Sequence, residues 1–212
     1  MKKFFKFFVV VCVFQASCAA MQIDLVIVGH DALPFYEKEL DEARVFCRDV
    51  HDTFSNDDFN NLFSSIVSDV KDGTNYLAIV FSAGKLIGNI FYEYERLNGN
   101  DFGSVRMRLM GYDQTIDHSY IIKSMQLLMT YLYCCKGSTA VYCCRTKMAH
   151  NYAWLINNLN LTYDEARTKT FSEALQELYE WYSLEIQEPV GGICMSCDSD
   201  PDGSGIFGWT AE

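Results

Sequence analysis

The residues of this chain whose types and spacing could do chemistry fall in a few places. Cys194-Met195-Ser196-Cys197 forms a CxxC, a spacing that serves thiol exchange or half of a zinc site. No second CxxC or paired His follows it, and its flanks are glycine and aspartate, with no helix to depress a thiolate pKa. The adjoining run from Asp198 to Gly203 has the outline of a calcium loop, but Pro201 and the missing distal Glu break the pattern. No resident metal is expected. His30, His51, His118 and His150 are scattered, with no i,i+4 pair and no HExxH. Asn160-Leu161-Thr162 is a glycosylation sequon, meaningful only in a eukaryotic secretory route. Glu93 and Glu95 share one face of a strand, where a carboxylate could serve as a general base or simply meet solvent.

The elements that must position these residues are legible from periodicity. Ile23 to Val28 alternates and is β-branched, which predicts a strand ending at Gly29. Tyr36, Leu40, Ala43, Cys47 and Val50 recur at helical spacing with acidic residues between them. A second helix starts at Ser55, whose hydroxyl can cap it, and buries Phe59, Leu62, Phe63, Ile66, Val67 and Val70. Tyr76–Ser82 and Leu86–Glu95 form a hairpin through Ala83-Gly84-Lys85. A third strand follows from Phe102 to Gly111. There Val105, Met107 and Leu109 alternate with Arg106 and Arg108, which predicts one buried and one basic face. A helix from Ser119 to Cys135 is stopped by Gly137, and a short strand runs from Thr139 to Cys144. Ala149–Leu159 reads as a helix, and Leu161–Thr170 and Leu178–Ile186 as the last strands. From residue 188 onward, glycine and aspartate dominate and predict a flexible tail.

That order of elements, over residues 21–187, resembles the GNAT family of acyl-CoA N-acyltransferases, an α/β fold with a mixed central sheet flanked by helices. Two segments carry the resemblance. Arg108 to Ser119 joins a strand to a helix where the family has Gln/Arg-x-x-Gly-x-Gly/Ala, whose backbone N–H groups wrap the diphosphate of acyl-CoA. Asn151-Tyr152-Ala153-Trp154-Leu155-Ile156-Asn157-Asn158-Leu159-Asn160-Leu161 is similar to the family's late helix. A helix N-terminus suits the diphosphate because its first N–H groups are unsatisfied and its dipole is positive there. The resemblance implies acetyl-CoA or another acyl-CoA as co-substrate and an amine, on a small molecule or a peptide, as acceptor. It assigns cofactor contacts to Leu109, Met110, Gln114, Ser119 and Asn151, and proton transfer to Glu93 as base and Tyr152 as acid. Two departures stand out. Asp117 occupies the place of the central Gly, where its carboxylate would compete with phosphates for the same donors. Ile156 falls where the family has its proton-donating Tyr. The alternative implied by these departures is an inactive module of the same fold, kept for binding or interaction.

Composition and targeting frame this reading. Half of the 212 residues are hydrophobic, enough for a full core. The formal charge of -11 argues against nonspecific nucleic-acid binding, which needs a basic face. Lys2, Lys3 and Lys6, the apolar run Phe7–Phe14 and Ser17-Cys18-Ala19-Ala20 have the form of a cleavable export signal over residues 1–20. The run is too short to span about 30 Å of hydrocarbon comfortably, so no stable membrane span is expected after cleavage. An exported, secreted or periplasmic protein follows, more acidic still once the three lysines are removed. Cys12 and Cys18 lie in the signal, leaving seven of nine cysteines. Of these, Cys134-Cys135 and Cys143-Cys144 could form a helix-to-strand disulfide or pack as small apolar groups.

Overall fold

The structure, a computed structural model, describes residues 22–52, 54–97, 101–138, 140–146, 157–165, 168–169, 179–186 and 205–210. An eight-stranded mixed sheet carries helices on both faces. Its elements are β1 (Gln22–Val28), α1 (Glu37–Val50), α2 (Asn56–Lys71), β2 (Asn75–Ser82), β3 (Lys85–Leu97), β4 (Asp101–Tyr112) and α3 (His118–Lys136). They are followed by β5 (Ala140–Thr146), β6 (Thr162–Tyr163), β7 (Tyr179–Glu185) and β8 (Gly205–Thr210). The spatial order is β6-β7-β5-β4-β3-β2-β1-β8.

Each strand of the central group is buried on both faces, as its near-continuous apolar sequence requires. Ile23, Leu25 and Ile27 of β1 join the core under α3, with Met125, Leu128 and Tyr131. Val26 and Val28 point the other way, into the core shared with Cys47 of α1 and Phe59, Phe63 and Ile66 of α2. The helix ends follow their sequence signals. The Ser55 hydroxyl accepts the Asp58 N–H at 3.1 Å, and Gly137, at φ +65°, closes α3 in the left-handed region that a glycine enters without strain. The hairpin between β2 and β3 turns on two residues, Ala83 and Gly84, both at positive φ.

Three expectations need correction. The residues 161–170 do not form one strand. Only Thr162–Tyr163 pair with β7, and helical backbone follows at Glu165, Thr168 and Lys169, the Thr168 N–H donating to Asp164 O at 3.0 Å. Asp164 and Glu165 supply the acidic start that a helix N-terminus favours. The tail is not uniformly flexible either, since β8 pairs antiparallel with β1 from Gln22–Thr210 to Ile27–Gly205. This ladder satisfies backbone groups that an edge at β1 would leave open. Third, β4 does not keep one face throughout. Phe91 of β3 pairs with Leu109, but the next residue, Tyr92, pairs with Met107, which leaves Arg108 as the extra residue of a bulge. Side-chain parity flips there: Val105 packs under α3, Leu109 under α1 and α2, and Met110 under α3 again.

The helix expected over residues 149–159 lies largely outside the described residues, which show helical backbone at Asn157 and Asn158 and Asn160 at φ +54°. The signal segment, the CxxC and the Asp198–Gly203 run lie outside them entirely.

Candidate functional site

The bulge at Arg108 divides β4 in its dealings with β5. Ser104 to Met107 pair in parallel with Ala140 to Cys143, and the ladder ends there. β4 itself runs on to Tyr112, held on its other side by β3 through Leu109–Phe91, Met110–Ile90, Gly111–Asn89 and Tyr112–Gly88. The two parallel strands therefore part at the bulge. Leu109 and Met110, the residues expected to meet a pantetheine arm, lie on the part of β4 beyond the β5 ladder.

This half of β4 is fixed in depth by α1. A Cβ built on Gly111 would lie 2.3 Å from the Cys47 backbone nitrogen and 2.6 Å from the Phe46 carbonyl carbon, so α1 rests directly on the strand. Beneath the contact the Asn89 amide donates to Cys47 Sγ at 3.2 Å. Burial pushes the Cys47 thiol up to about 12, which leaves it an inert packing group.

β4 leads into α3 through a loop whose own carboxylates use its donors. Asp113 Oδ1 accepts the Thr115 N–H at 2.9 Å and the Thr115 hydroxyl at 2.6 Å, and Asp113 Oδ2 accepts Lys85 Nζ at 2.8 Å. Those bonds to Lys85 and Thr115 hold the Asp113 carboxyl down to about 2. Asp117 is the N-cap of α3: its Oδ1 accepts the Ser119 N–H at 2.7 Å, which lowers its pKa. Gln114 turns away from the helix and donates from Nε2 to Asp49 O at 2.9 Å, at the C-terminal end of α1. The strand-to-helix junction lies where the sequence placed it, and the Asp117 carboxylate accepts one of the first N–H groups of α3.

Glu93, on β3, stands opposite Arg106. One carboxylate oxygen is bound by Arg106 Nη2 and the other accepts Arg108 Nη1 at 2.6 Å. The second guanidinium nitrogen of Arg108 lies 3.9 Å from Asp69 of α2. Both oxygens that a base would use are engaged, and Glu93 acts here as the clasp of an ion-pair cluster beside the end of the β4–β5 ladder. Periodicity missed the cluster because it is formed across strands. The presence of two Arg in the β4 sequence and two Glu in that of β3 was its one visible signal. Tyr152 and Asn151 lie outside the described residues, and so does the side chain of Glu95.

The other titratable candidates are dispersed. His51 is buried at the end of α1, where desolvation lowers its pKa to about 4. His30 Nε2 lies 3.0 Å from Asp31, and His118 packs edge-on against Tyr112. Among the described residues no group of three His, Cys, Asp or Glu could hold a metal ion, and no helix is long and apolar enough to cross a membrane. Cys134 is an exposed free thiol; the side chains of Cys135, Cys143 and Cys144 lie outside the described set.

No protein-family model matches the chain, and no curated protein matches it in sequence. Solved structures do match in fold. An acetyltransferase from Salmonella typhimurium that modifies the N-terminal serine of a 50S ribosomal subunit protein is 12% identical, with a TM-score of 0.54 over 77% of this chain and 95% of its own. Tetrahymena GCN5 is 10% identical, with a TM-score of 0.56 over 78% of this chain and 98% of its own. An aminoglycoside 6'-acetyltransferase type Ii is 10% identical, with a TM-score of 0.53 over 77% and 99%. With β4 and β5 parting at a bulge and α3 starting where β4 ends, the chain carries the GNAT N-acyltransferase fold.

Proposed function

We propose that this domain binds an acyl thioester of the acyl-CoA type between β4 and β5 and transfers its acyl group to an amine. The observation that supports the reading is the parting of the two parallel strands at Arg108, beside which an extended pantetheine arm would lie along Leu109–Tyr112. In the reaction the amine nitrogen attacks the thioester carbonyl carbon, the C–N bond forms and the C–S bond breaks. The sulfur leaves as a thiolate and takes a proton, and the amine nitrogen gives one up. Holding the two reactants together supplies most of what such a step needs. Glu93, engaged by two guanidiniums, positions Arg108 beside the end of the β4–β5 ladder rather than serving as the base. The neighbours named for an N-terminal serine and an aminoglycoside as acceptors support an amine, on a peptide or a small molecule.

The test is thermal shift with acetyl-CoA and with S-acetyl-pantetheine, followed by mass spectrometry of an amine panel. Saturable stabilisation by either thioester is expected, and no stabilisation by both at millimolar concentration sinks the proposal. A second reading, a binding module of the same fold, is favoured by the Asp117 cap on α3; it predicts no acylated amine. Export is part of the proposal, supported by residues 1–20. Intact mass of the protein recovered from its natural compartment should begin after Ala20, and an uncleaved N-terminus would refute this.

A further inference from the structure

We infer that the donor this site recognises is a pantetheine thioester without a diphosphate, so that acetyl-pantetheine binds at least as well as acetyl-CoA. The inference rests on reading the β4–β5 opening as a thioester slot and deepens it by naming the donor class. A diphosphate at the mouth of that slot would need backbone N–H groups and positive charge. Five of the eight N–H groups from Asp113 to Tyr120 are already used. The N–H of Asp113 donates to Ile87 O at 2.9 Å, that of Thr115 to Asp113 Oδ1, and that of Ile116 to Asp113 O at 3.2 Å. Ser119 N–H donates to Asp117 Oδ1 and Tyr120 N–H to Asp117 O at 3.1 Å.

The charge is of the wrong sign as well. Asp113 to Ser119 contains two carboxylates and no Lys or Arg. Lys85, which reaches the loop, is engaged by Asp113. Gln114, the side chain best suited to a phosphate oxygen, is tied to the Asp49 carbonyl. A diphosphate would have to displace Asp117 from Ser119 and then sit beside it, like charge against like. A pantetheine arm is neutral. It meets none of these obstacles, because it pairs with strand backbone and ends before the loop. The site thus retains the strand geometry for the thioester half of the donor and has replaced the seat for the nucleotide half with its own carboxylates.

The experiment titrates the full mature chain with acetyl-CoA and S-acetyl-pantetheine by calorimetry, with wild type and Asp117→Gly side by side. Wild type is expected to bind acetyl-pantetheine with equal or tighter affinity, and its acetyl-CoA affinity should rise with added salt, because salt screens repulsion. Asp117→Gly should tighten acetyl-CoA about tenfold and leave acetyl-pantetheine unchanged. Tighter wild-type binding of acetyl-CoA, weakening with salt, overturns the inference and leaves the thioester slot standing. Binding of neither compound overturns both. The salt series uses wild type alone, so the conclusion survives a variant that folds poorly.

Discussion

The two halves of β4 differ in almost every respect that matters for function. From Ser104 to Met107 the strand is paired on both sides, and its polar face is closed by Glu93 gripping Arg106 and Arg108. From Leu109 to Tyr112 it has parted from β5, and α1 presses on it at Gly111. The first half is fixed by charge and two ladders, the second by its one ladder with β3 and by close packing of α1 at Gly111. One extra residue, Arg108, separates them. A slot between two strands of a sheet thus requires a place where pairing stops and a different element that keeps the released strand flat.

That contrast can be broken most severely at Gly111. Gly111→Val puts side-chain atoms into the α1 backbone, which cannot give as a flexible side chain would, and should cost about 3 kcal/mol or more. Urea denaturation measures it, and an unchanged midpoint would show that α1 does not rest on the strand. Next in size is Glu93→Gln, which leaves two guanidiniums facing a neutral amide. It should cost about 2 kcal/mol of stability while leaving acyl-donor affinity within about threefold, since the cluster lies at the closed half. A large loss of donor affinity without loss of stability would move Glu93 into the slot itself. The smallest effect is acid dependence at the loop. Asp113 has its carboxyl held to about 2, below the ordinary 3.8. Its contribution is therefore fully present above about pH 4 and disappears as pH falls through 2. Lys85→Met should flatten that part of the stability curve, and unfolding midpoints of the two proteins should converge near pH 2.

Much of this architecture could be read from residue types, and the failures have definite causes. The helical stripe from Tyr36 to Val50 and the Ser55 cap depend on local spacing, and both are realised. Asp117 was legible as an intruder because its effect is local: a carboxylate one residue before a helix accepts the N–H of the second helical residue, here Ser119. The bulge was not legible. Val105, Met107 and Leu109 alternate without a break in the sequence, and only the pairing with β3 reveals that Leu109 faces the opposite core. Likewise Glu93 looked available as a base because its partners come from the neighbouring strand. Asp164-Glu165 misled in the other direction, because a β-like stretch before it hid a helix start.

The ladder between β1 and β8 has a consequence for how the sheet is completed. β1 meets β2 across about fifty residues and β8 across about three and a half times as many. By loop-closure entropy alone the longer connection costs only about 1 kcal/mol more. Search time is the greater burden, since non-local pairings form late and slowly. From the neighbourhood of β7, the chain must also traverse six inter-strand steps, about 29 Å, to reach its place beside β1. During that interval β1 is an apolar strand with one unpaired edge, open to the same strand of another molecule. Refolding yield should therefore fall with protein concentration more steeply than stability would suggest, and the vulnerable surface is the first strand of the fold.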